Sequence, residues 1–159
     1  KIIDTRKTTP GLRTLEKYAV RMGGGTNHRL GLYDAALVKD NHIAASGSIA
    51  QAIEKIRRQA PFMARVEVEC SDLKQVKEAL DAGTDVIMLD NMGTKEMAEA
   101  ATLINKRAWV EASGGITIER VREVAKAGVD FISVGALTHS APAVDFNMKI
   151  TVGWPGLKM

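Results

Sequence analysis

Short apolar, β-branched runs alternate with segments of helical periodicity along most of this chain, and that alternation restricts its fold more than any other feature. The runs are Lys1 to Asp4 (KIID), Ala35 to Lys39 (AALVK), Arg65 to Glu69 (RVEVE), Asp85 to Leu89 (DVIML), Ala108 to Ala112 (AWVEA) and Phe131 to Val134 (FISV), each of which reads as a buried strand. Between them, apolar residues recur at helical spacing: Leu12, Leu15, Ala19, Met22; Ile49, Ile53, Ile56; Leu73, Val76, Leu80; Met97, Ala101, Ile104; and Ile118, Val121, Ala125. Thr9 before Pro10, Ser48, Ser71, Thr94 and Thr117 are the expected helix starts, because a side-chain oxygen there accepts from the free amides of a first turn. Gly23, Gly83 and Gly128 are the expected ends.

Strand and helix in alternation predict an α/β fold with parallel strands, whose functional loops emerge together at the carboxyl ends. A closed eight-stranded barrel takes about 250 residues. The chain has 159 and shows six strand candidates, so the expected architecture is a parallel α/β barrel, incomplete, with about six strand–helix units over residues 1–150. A doubly wound open sheet is the alternative, weakened because no Gly-x-Gly-x-x-Gly follows the first strand and no Walker loop occurs. The alternation Val144, Phe146, Met148, Ile150, Val152 predicts an extended closing segment, broken at Trp154-Pro155-Gly156, with 151–159 as a tail.

Polar residues gather where the strands end: Asp4 to Lys7, Lys39 to His42, Glu67 and Glu69, Asp90-Asn91, Glu111 with Ser113 to Gly115, and Gly135 with Thr138 to Ser140. Strand alternation puts Glu67 and Glu69 on one face, where two carboxylates need cations or a metal. The run Gly23-Gly24-Gly25-Thr26-Asn27-His28-Arg29 offers close backbone approach to a ligand and donors for a carboxylate or phosphate. Ser113-Gly114-Gly115 and Val134-Gly135-Ala136 follow the last two strands, where barrels commonly bind phosphate.

Charge narrows the partner class. Residues 1–29 hold seven Lys or Arg against two acids, while the whole chain is only +3. Aromatics make up 4% and none is interleaved with the basic residues, which argues against nucleic acid and for a small polyanion. Cys70 has no partner cysteine and no two histidines sit at zinc-ligand spacing, so a protein-held zinc site is not expected, and Cys70 reads as buried packing. Glu69 or Asp90 could share a Mg2+ ion with substrate phosphates. A single cysteine, no secretory leader and no apolar run near 18 residues predict a reducing, cytoplasmic setting without a membrane span. The first residue is Lys1, not Met, so an upstream segment is expected.

In combination, DTRKTTPGLRTLEKYAVRMGGGTNHRLGLYDAALVKDNHI, the EVE of Glu67 to Glu69, the LDN of Leu89 to Asn91, EASGGI from Glu111 and SVGALTHS from Ser133 resemble the nicotinate-nucleotide pyrophosphorylase family, also called quinolinate phosphoribosyltransferase. The resemblance runs from Lys1 to about Ile150. It implies Mg2+-dependent, decarboxylating transfer of a phosphoribosyl group from phosphoribosyl pyrophosphate to quinolinate, a pentosyl transfer that gives nicotinate mononucleotide for NAD synthesis. By matching motifs, Arg6, His28, Arg29 and Lys39 are implied as the cationic pocket for the quinolinate carboxylates. Lys7, Glu69 and Asp90 are implied as the catalytic, phosphoribosyl and metal side, with Ser113, Gly114, Gly135 and His139 near the phosphates. Family members also carry an amino-terminal domain that caps the barrel of the partner subunit in a homodimer. These residues begin almost at the first strand and are expected to lack that domain, so the resemblance implies little activity for them alone. The molybdenum-transport-associated paralogue and a non-catalytic phosphate-binding barrel are the alternatives. Asn27-His28-Arg29 and Lys39-Asp40-Asn41-His42 favour the pyrophosphorylase.

Overall fold

The computed structural model describes residues 1–150. Six strands form one sheet: β1 (Ile2–Ile3), β2 (Ala36–Val38), β3 (Val66–Cys70), β4 (Val86–Asp90), β5 (Trp109–Ser113) and β6 (Phe131–Ser133). Each lies within one residue of an expected run. All pairings are parallel, in the order β1-β6-β5-β4-β3-β2, so β1 and β2 are the two edges. The sheet is not closed. It nevertheless curls, because one cavity of about 180 Å³ is lined by residues on or beside all six strands: Ile3, Ala35, Glu67, Val86, Glu111 and Phe131.

The helices are α1 (Arg13–Met22), α2 (Asp40–Ser46), α3 (Ile49–Gln59), α4 (Leu73–Asp81), α5 (Thr94–Ile104), α6 (Val121–Lys126) and α7 (Ala136–His139). Alternate strand residues Val66, Val68, Cys70, Ile87, Leu89, Val110, Ala112 and Ile132 pack with Ile49, Ile53, Val76, Met97, Ile104 and Val124 from the helices, forming the apolar core. Glu67, Glu69, Met88, Asp90, Glu111 and Ser133 take the other side of the strands and line the cavities inside the curl. The fold thus puts its oil outside the sheet and its charge within.

Several expectations are corrected. Leu12, Leu15 and Met22 face outward, and α1 buries Lys17 and Val20 instead. The cause is Asp4, wholly buried at the end of β1, whose carboxylate attracts Lys17 Nζ to 2.5 Å. α6 buries Val124 while Ile118 stays exposed. Ser48 caps α3 as expected, accepting from Gln51 N–H at 3.2 Å. Before α4 the acceptor is Asp72 and not Ser71, and Gly93 precedes α5 with Thr94 already helical. α1 begins after Leu12 without a side-chain cap, three residues beyond Thr9. Residues 141–150 pair with no strand, and Val144, Phe146, Met148 and Ile150 are exposed. Val152, the Trp154-Pro155-Gly156 break and the 151–159 tail lie outside the described residues.

The edge strand β1 gains a second neighbour from the glycine loop. Thr26 bridges Ile3 in parallel, donating its N–H to Ile2 O at 3.0 Å while Asp4 N–H donates to Thr26 O at 3.2 Å. The glycines serve that turn. Gly23 ends α1, Gly24 has φ +88°, and a side chain on Gly25 would begin 2.7 Å from Val20 Cγ1. The chain can then double back from α1 onto β1 and deliver His28 and Arg29 into the curl.

Candidate active site

A pocket of about 470 Å³ opens at the carboxyl ends of the strands. Lining it are Arg6 and Lys7 after β1, Lys39 after β2, Glu69 in β3, Asp90 at the end of β4, Ser113 at the end of β5 with Gly114 after it, and His28 and Arg29 from the loop. Nine residues singled out from the sequence are therefore brought together. Gly135 and His139 are not on that wall, but they stand beside it. A Cβ on Gly135 would lie 2.8 Å from His139 Nε2 and 3.8 Å from Lys7 Cδ. A larger concavity of about 790 Å³, lined by Arg65, Asp85, Arg107, Trp109 and Asp130, lies at the opposite ends of the strands. Its two acids already accept backbone N–H groups, Asp85 from Val66 and Asp130 from Val110. The smaller pocket is where free charge converges.

Each polar group is set by a local device. Lys39 pairs with Glu69 across the neighbouring strands, and its backbone N–H donates to His42 Nδ1 at 3.0 Å, so His42 caps α2. Asp90 Oδ2 accepts from Asn91 Nδ2 at 2.7 Å. Asn91 adopts φ +55°, and its N–H donates to Ser113 O at 3.0 Å. Gly114, at φ +92°, lies so close that a Cβ would sit 2.2 Å from Asn91 Oδ1 and 2.8 Å from Asn91 N. Only glycine permits that approach between the β4 and β5 loops. Thr138 Oγ1 donates to Lys7 O at 2.7 Å, which ties α7 to the segment after β1.

Arg6 and Arg29 are neighbours. Burial, and then the Arg6 charge, lower the hold of Arg29 on its proton. Arg6 Nε is buried with no protein acceptor, and Arg29 Nη1 donates to Ala35 O at 2.8 Å. Two guanidiniums side by side, one with an unpaired buried N–H, form a receptor for an anion with adjacent oxygens.

Beneath them lies a trio that sequence reasoning left scattered. His28 Nε2 is 3.0 Å from Glu67 Oε2 and 3.4 Å from Glu111 Oε2, and both carboxylates are buried. Burial disfavours charge on His28, but its hydrogen bonds to Glu111 and Glu67 and their charges outweigh this and lift it to about 10. Glu67 is raised to about 7, first by burial and then, against the pull of His28, by the charge of Glu111. The group therefore retains an extra proton at neutral pH, shared as in any coupled set. Arg29 N lies 2.8 Å from His28 Nδ1, on the side of the ring away from the carboxylates.

The three ligand atoms lie within 4.8 Å of one another. A metal would need the Nε2 lone pair, but Nε2 carries the proton that faces Glu67 and Glu111, so the trio is not built for a cation. Glu69 and Asp90 suit one better, since they present hard oxygen donors from adjacent strands to the open pocket. Cys70, wholly buried on the core side of β3, has its thiol pushed up to about 12 by burial and then by Asp72, which fits packing.

The quinolinate phosphoribosyl transferase C-terminal domain family matches residues 1–149. A probable nicotinate-nucleotide pyrophosphorylase [carboxylating] of Bacillus subtilis is 53% identical over 96% of this chain and 53% of its own length. The nicotinate-nucleotide pyrophosphorylase [carboxylating] of Homo sapiens is 42% identical over 94% of this chain and 51% of its own. The crystal structure of NadC from Streptococcus pyogenes superposes with a TM-score of 0.85 at 52% identity, covering 94% of this chain and 52% of that one. The chain spans about half the length of the curated relatives it matches. A thiamine phosphate pyrophosphorylase from Pyrococcus furiosus, 17% identical with a TM-score of 0.57, shares the fold. No helix among the described residues is long and apolar enough to cross a membrane.

Proposed function

This chain belongs to the quinolinate phosphoribosyl transferase C-terminal domain family, and from that premise we propose that it is the catalytic barrel of a decarboxylating phosphoribosyltransferase. Its reaction joins quinolinate to phosphoribosyl pyrophosphate and releases pyrophosphate and carbon dioxide, leaving nicotinate mononucleotide for NAD synthesis. The observation that carries this reading is the Arg6–Arg29 pair, with the buried, unpartnered Nε of Arg6 in the pocket wall. The two adjacent carboxylates of quinolinate would supply the missing acceptors.

Two polyanions repel one another, and a preorganised cationic wall is what holds them in reacting geometry. Arg6, Arg29 and Lys39 take the dicarboxylate. Lys7, Ser113 and Gly114, with Gly135 and His139 beside them, take the phosphates. Glu69 and Asp90 would hold Mg2+, which supplies neutralising charge to the pyrophosphate. As the bond to pyrophosphate loosens, the ribose becomes cationic, and the Glu69 or Asp90 carboxylate stabilises it. Lys7 meets the departing charge. The ring nitrogen, once alkylated, stabilises the carbanion left as carbon dioxide departs, and that carbon then takes up a proton from solvent to give nicotinate mononucleotide. The proposal includes a homodimer in a cytoplasmic setting. The outward apolar face of α1, with Leu15, Tyr18 and Met22 all more than 60% exposed, supports burial against further protein.

Calorimetric titration tests the reading. Quinolinate should bind at least tenfold more tightly than nicotinate, which lacks the second carboxylate, and Arg29→Ala should abolish the heat. Equal affinity for the two acids, or unchanged binding in Arg29→Ala, would refute it.

A further inference from the structure

α1 carries three charged side chains on one face, Arg13, Glu16 and Lys17, and each of them ends on a loop that leads into the pocket. Glu16 Oε2 accepts from Thr9 N–H at 3.0 Å, and Lys17 Nζ donates to the carbonyl of His28 at 2.9 Å. Arg13 reaches two loops at once. Its Nη2 donates to the carbonyl of Arg6 at 3.3 Å and its Nε to Thr8 Oγ1 at 3.0 Å, both in the segment after β1. Its Nη1 donates to the carbonyl of Leu30 at 3.4 Å, in the segment that carries Arg29. Among the described residues Arg13 makes no ion pair, and it is not part of the pocket lining. All of its bonds go to neutral oxygens.

We infer that Arg13 is a positioning residue that fixes the separation of the Arg6 and Arg29 guanidiniums, and that this separation selects an acid with two neighbouring carboxylates. The inference rests on the reading of Arg6 and Arg29 as the carboxylate receptor and names what holds that receptor in shape. Two loops with like charges at their tips repel one another unless something ties them. Arg13 supplies the tie through the backbone, at Arg6 itself and at the residue that follows Arg29. Lys17, one helical turn further along, holds the carbonyl of the residue that precedes Arg29, so Arg29 stands between two carbonyls fixed to α1. The guanidinium fork serves three acceptors on two segments, which a single ammonium does not. A binding group on a loop keeps its place only with such support behind it. Lys7 is held by other contacts: its N–H donates to Thr5 Oγ1 at 3.0 Å, and its carbonyl accepts from Thr138 Oγ1 at 2.7 Å. The phosphate side of the pocket therefore does not depend on Arg13.

Calorimetry on the intact chain tests this, with quinolinate, nicotinate and phosphoribosyl pyrophosphate as the probes. Arg13→Met, which keeps the apolar stem, should weaken quinolinate binding about tenfold and leave the other two within about twofold, so that the preference for the dicarboxylate collapses. Arg13→Lys should restore little of it, because it returns the charge without the fork. Full recovery in Arg13→Lys would show that Arg13 acts by charge alone and would overturn the inference. An undiminished preference in Arg13→Met would overturn it too, as would equal losses for all three probes, the mark of general damage to the fold. Thr8→Val removes one of the three acceptors and should lower the preference about threefold, with no further loss when combined with Arg13→Met. Should Arg13→Met fail to fold, Thr8→Val decides alone, and an unchanged preference in that variant refutes the inference. Equal affinity for quinolinate and nicotinate in the unaltered chain would instead refute the proposed function, and the inference would fall with it.

Discussion

Replacing Asp4 by Asn should unfold this domain more readily than almost any surface change, because the carboxylate anchors three donors at once. Oδ1 accepts from Lys17 Nζ at 2.5 Å and His28 N–H at 2.8 Å, and Oδ2 accepts from Asn27 Nδ2 at 2.6 Å. Asp4 is fully buried and Lys17 is 4% exposed, so the variant leaves an ammonium inside the protein facing only neutral oxygens, the new amide and the His28 carbonyl, and sets an amide NH2 against the Asn27 Nδ2 donor. Breaking one partner of such a pair costs about 3–5 kcal/mol. A domain of this kind has roughly 5–15 kcal/mol in all. At about 2–4 °C per kcal/mol for a chain of this size, Tm should fall by roughly 6–20 °C. Lys17→Met should cost less, since Asp4 keeps its bonds to His28 and Asn27. The double variant should be more stable than Asp4→Asn alone. Urea denaturation followed by circular dichroism gives the cycle. A loss below about 1 kcal/mol for Asp4→Asn, or simple additivity of the two changes, would show that the pair is not what turns α1 inward.

Gly114→Ala should destabilise by about 1–3 kcal/mol, because the added Cβ meets Asn91 backbone at 2.8 Å and φ is +92°; thermal melts within 1 °C of the unaltered chain would refute the close approach. Cys70, its thiol pushed up to about 12, should have only about one molecule in ten thousand as thiolate at pH 8, so iodoacetamide should leave it unmodified in the native state and label it once denatured. Rapid native labelling, read by mass spectrometry, would show that β3 opens. Thr138→Val removes the bond to Lys7 O and should weaken phosphoribosyl pyrophosphate binding severalfold while sparing quinolinate; equal loss for both ligands would refute the assignment of Lys7 to the phosphate side.

Strand positions were legible because a buried parallel strand leaves a run of apolar, β-branched residues, and β1 to β6 all carry that mark. Helix faces were less so. In α1 the apolar stripe Leu12, Leu15, Met22 obeys the helical period yet faces out, since a buried ion pair outweighs apolar burial on a single helix, and the periodicity of hydropathy cannot register a lysine that belongs inside. α2 was missed because its sequence, DNHIAAS, opens with three polar residues, and the cap that starts it is an imidazole, His42, and not a hydroxyl. Of the site, strand-end residues could be listed from the order of the chain. The trio could not. Glu67 and Glu111 belong to strands that are not neighbours, and they meet only because the sheet curls around a loop whose path depends on Gly24 and Gly25. The equal facing of Glu67 and Glu69 did point to a need for cations, and the structure supplies one to each, His28 and Lys39.

The cationic bias of the first 29 residues therefore does not translate directly into a cationic pocket. Lys17 is neutralised by Asp4 in the interior, and Arg13 donates to Thr8, Arg6 O and Leu30 O to brace the loops. Lys39 is paired with Glu69. Arg6, Lys7 and Arg29, all on the pocket wall, make no ion pair among the described residues and give the pocket its unbalanced charge, while Lys1 and Arg21, equally without an ion pair, are not part of its lining. An unpaired guanidinium in a half-buried wall is costly without its anion. The same desolvation that strains the empty pocket strengthens each contact when a polyanion fills it, since the effective dielectric there is well below that of water. Affinity for a dicarboxylate is thus bound up with the stability of the fold: binding should raise Tm in proportion to the logarithm of quinolinate concentration above Kd, whereas Arg6→Met, by removing a buried unpaired donor, should raise the Tm of the free chain and abolish the ligand-dependent rise.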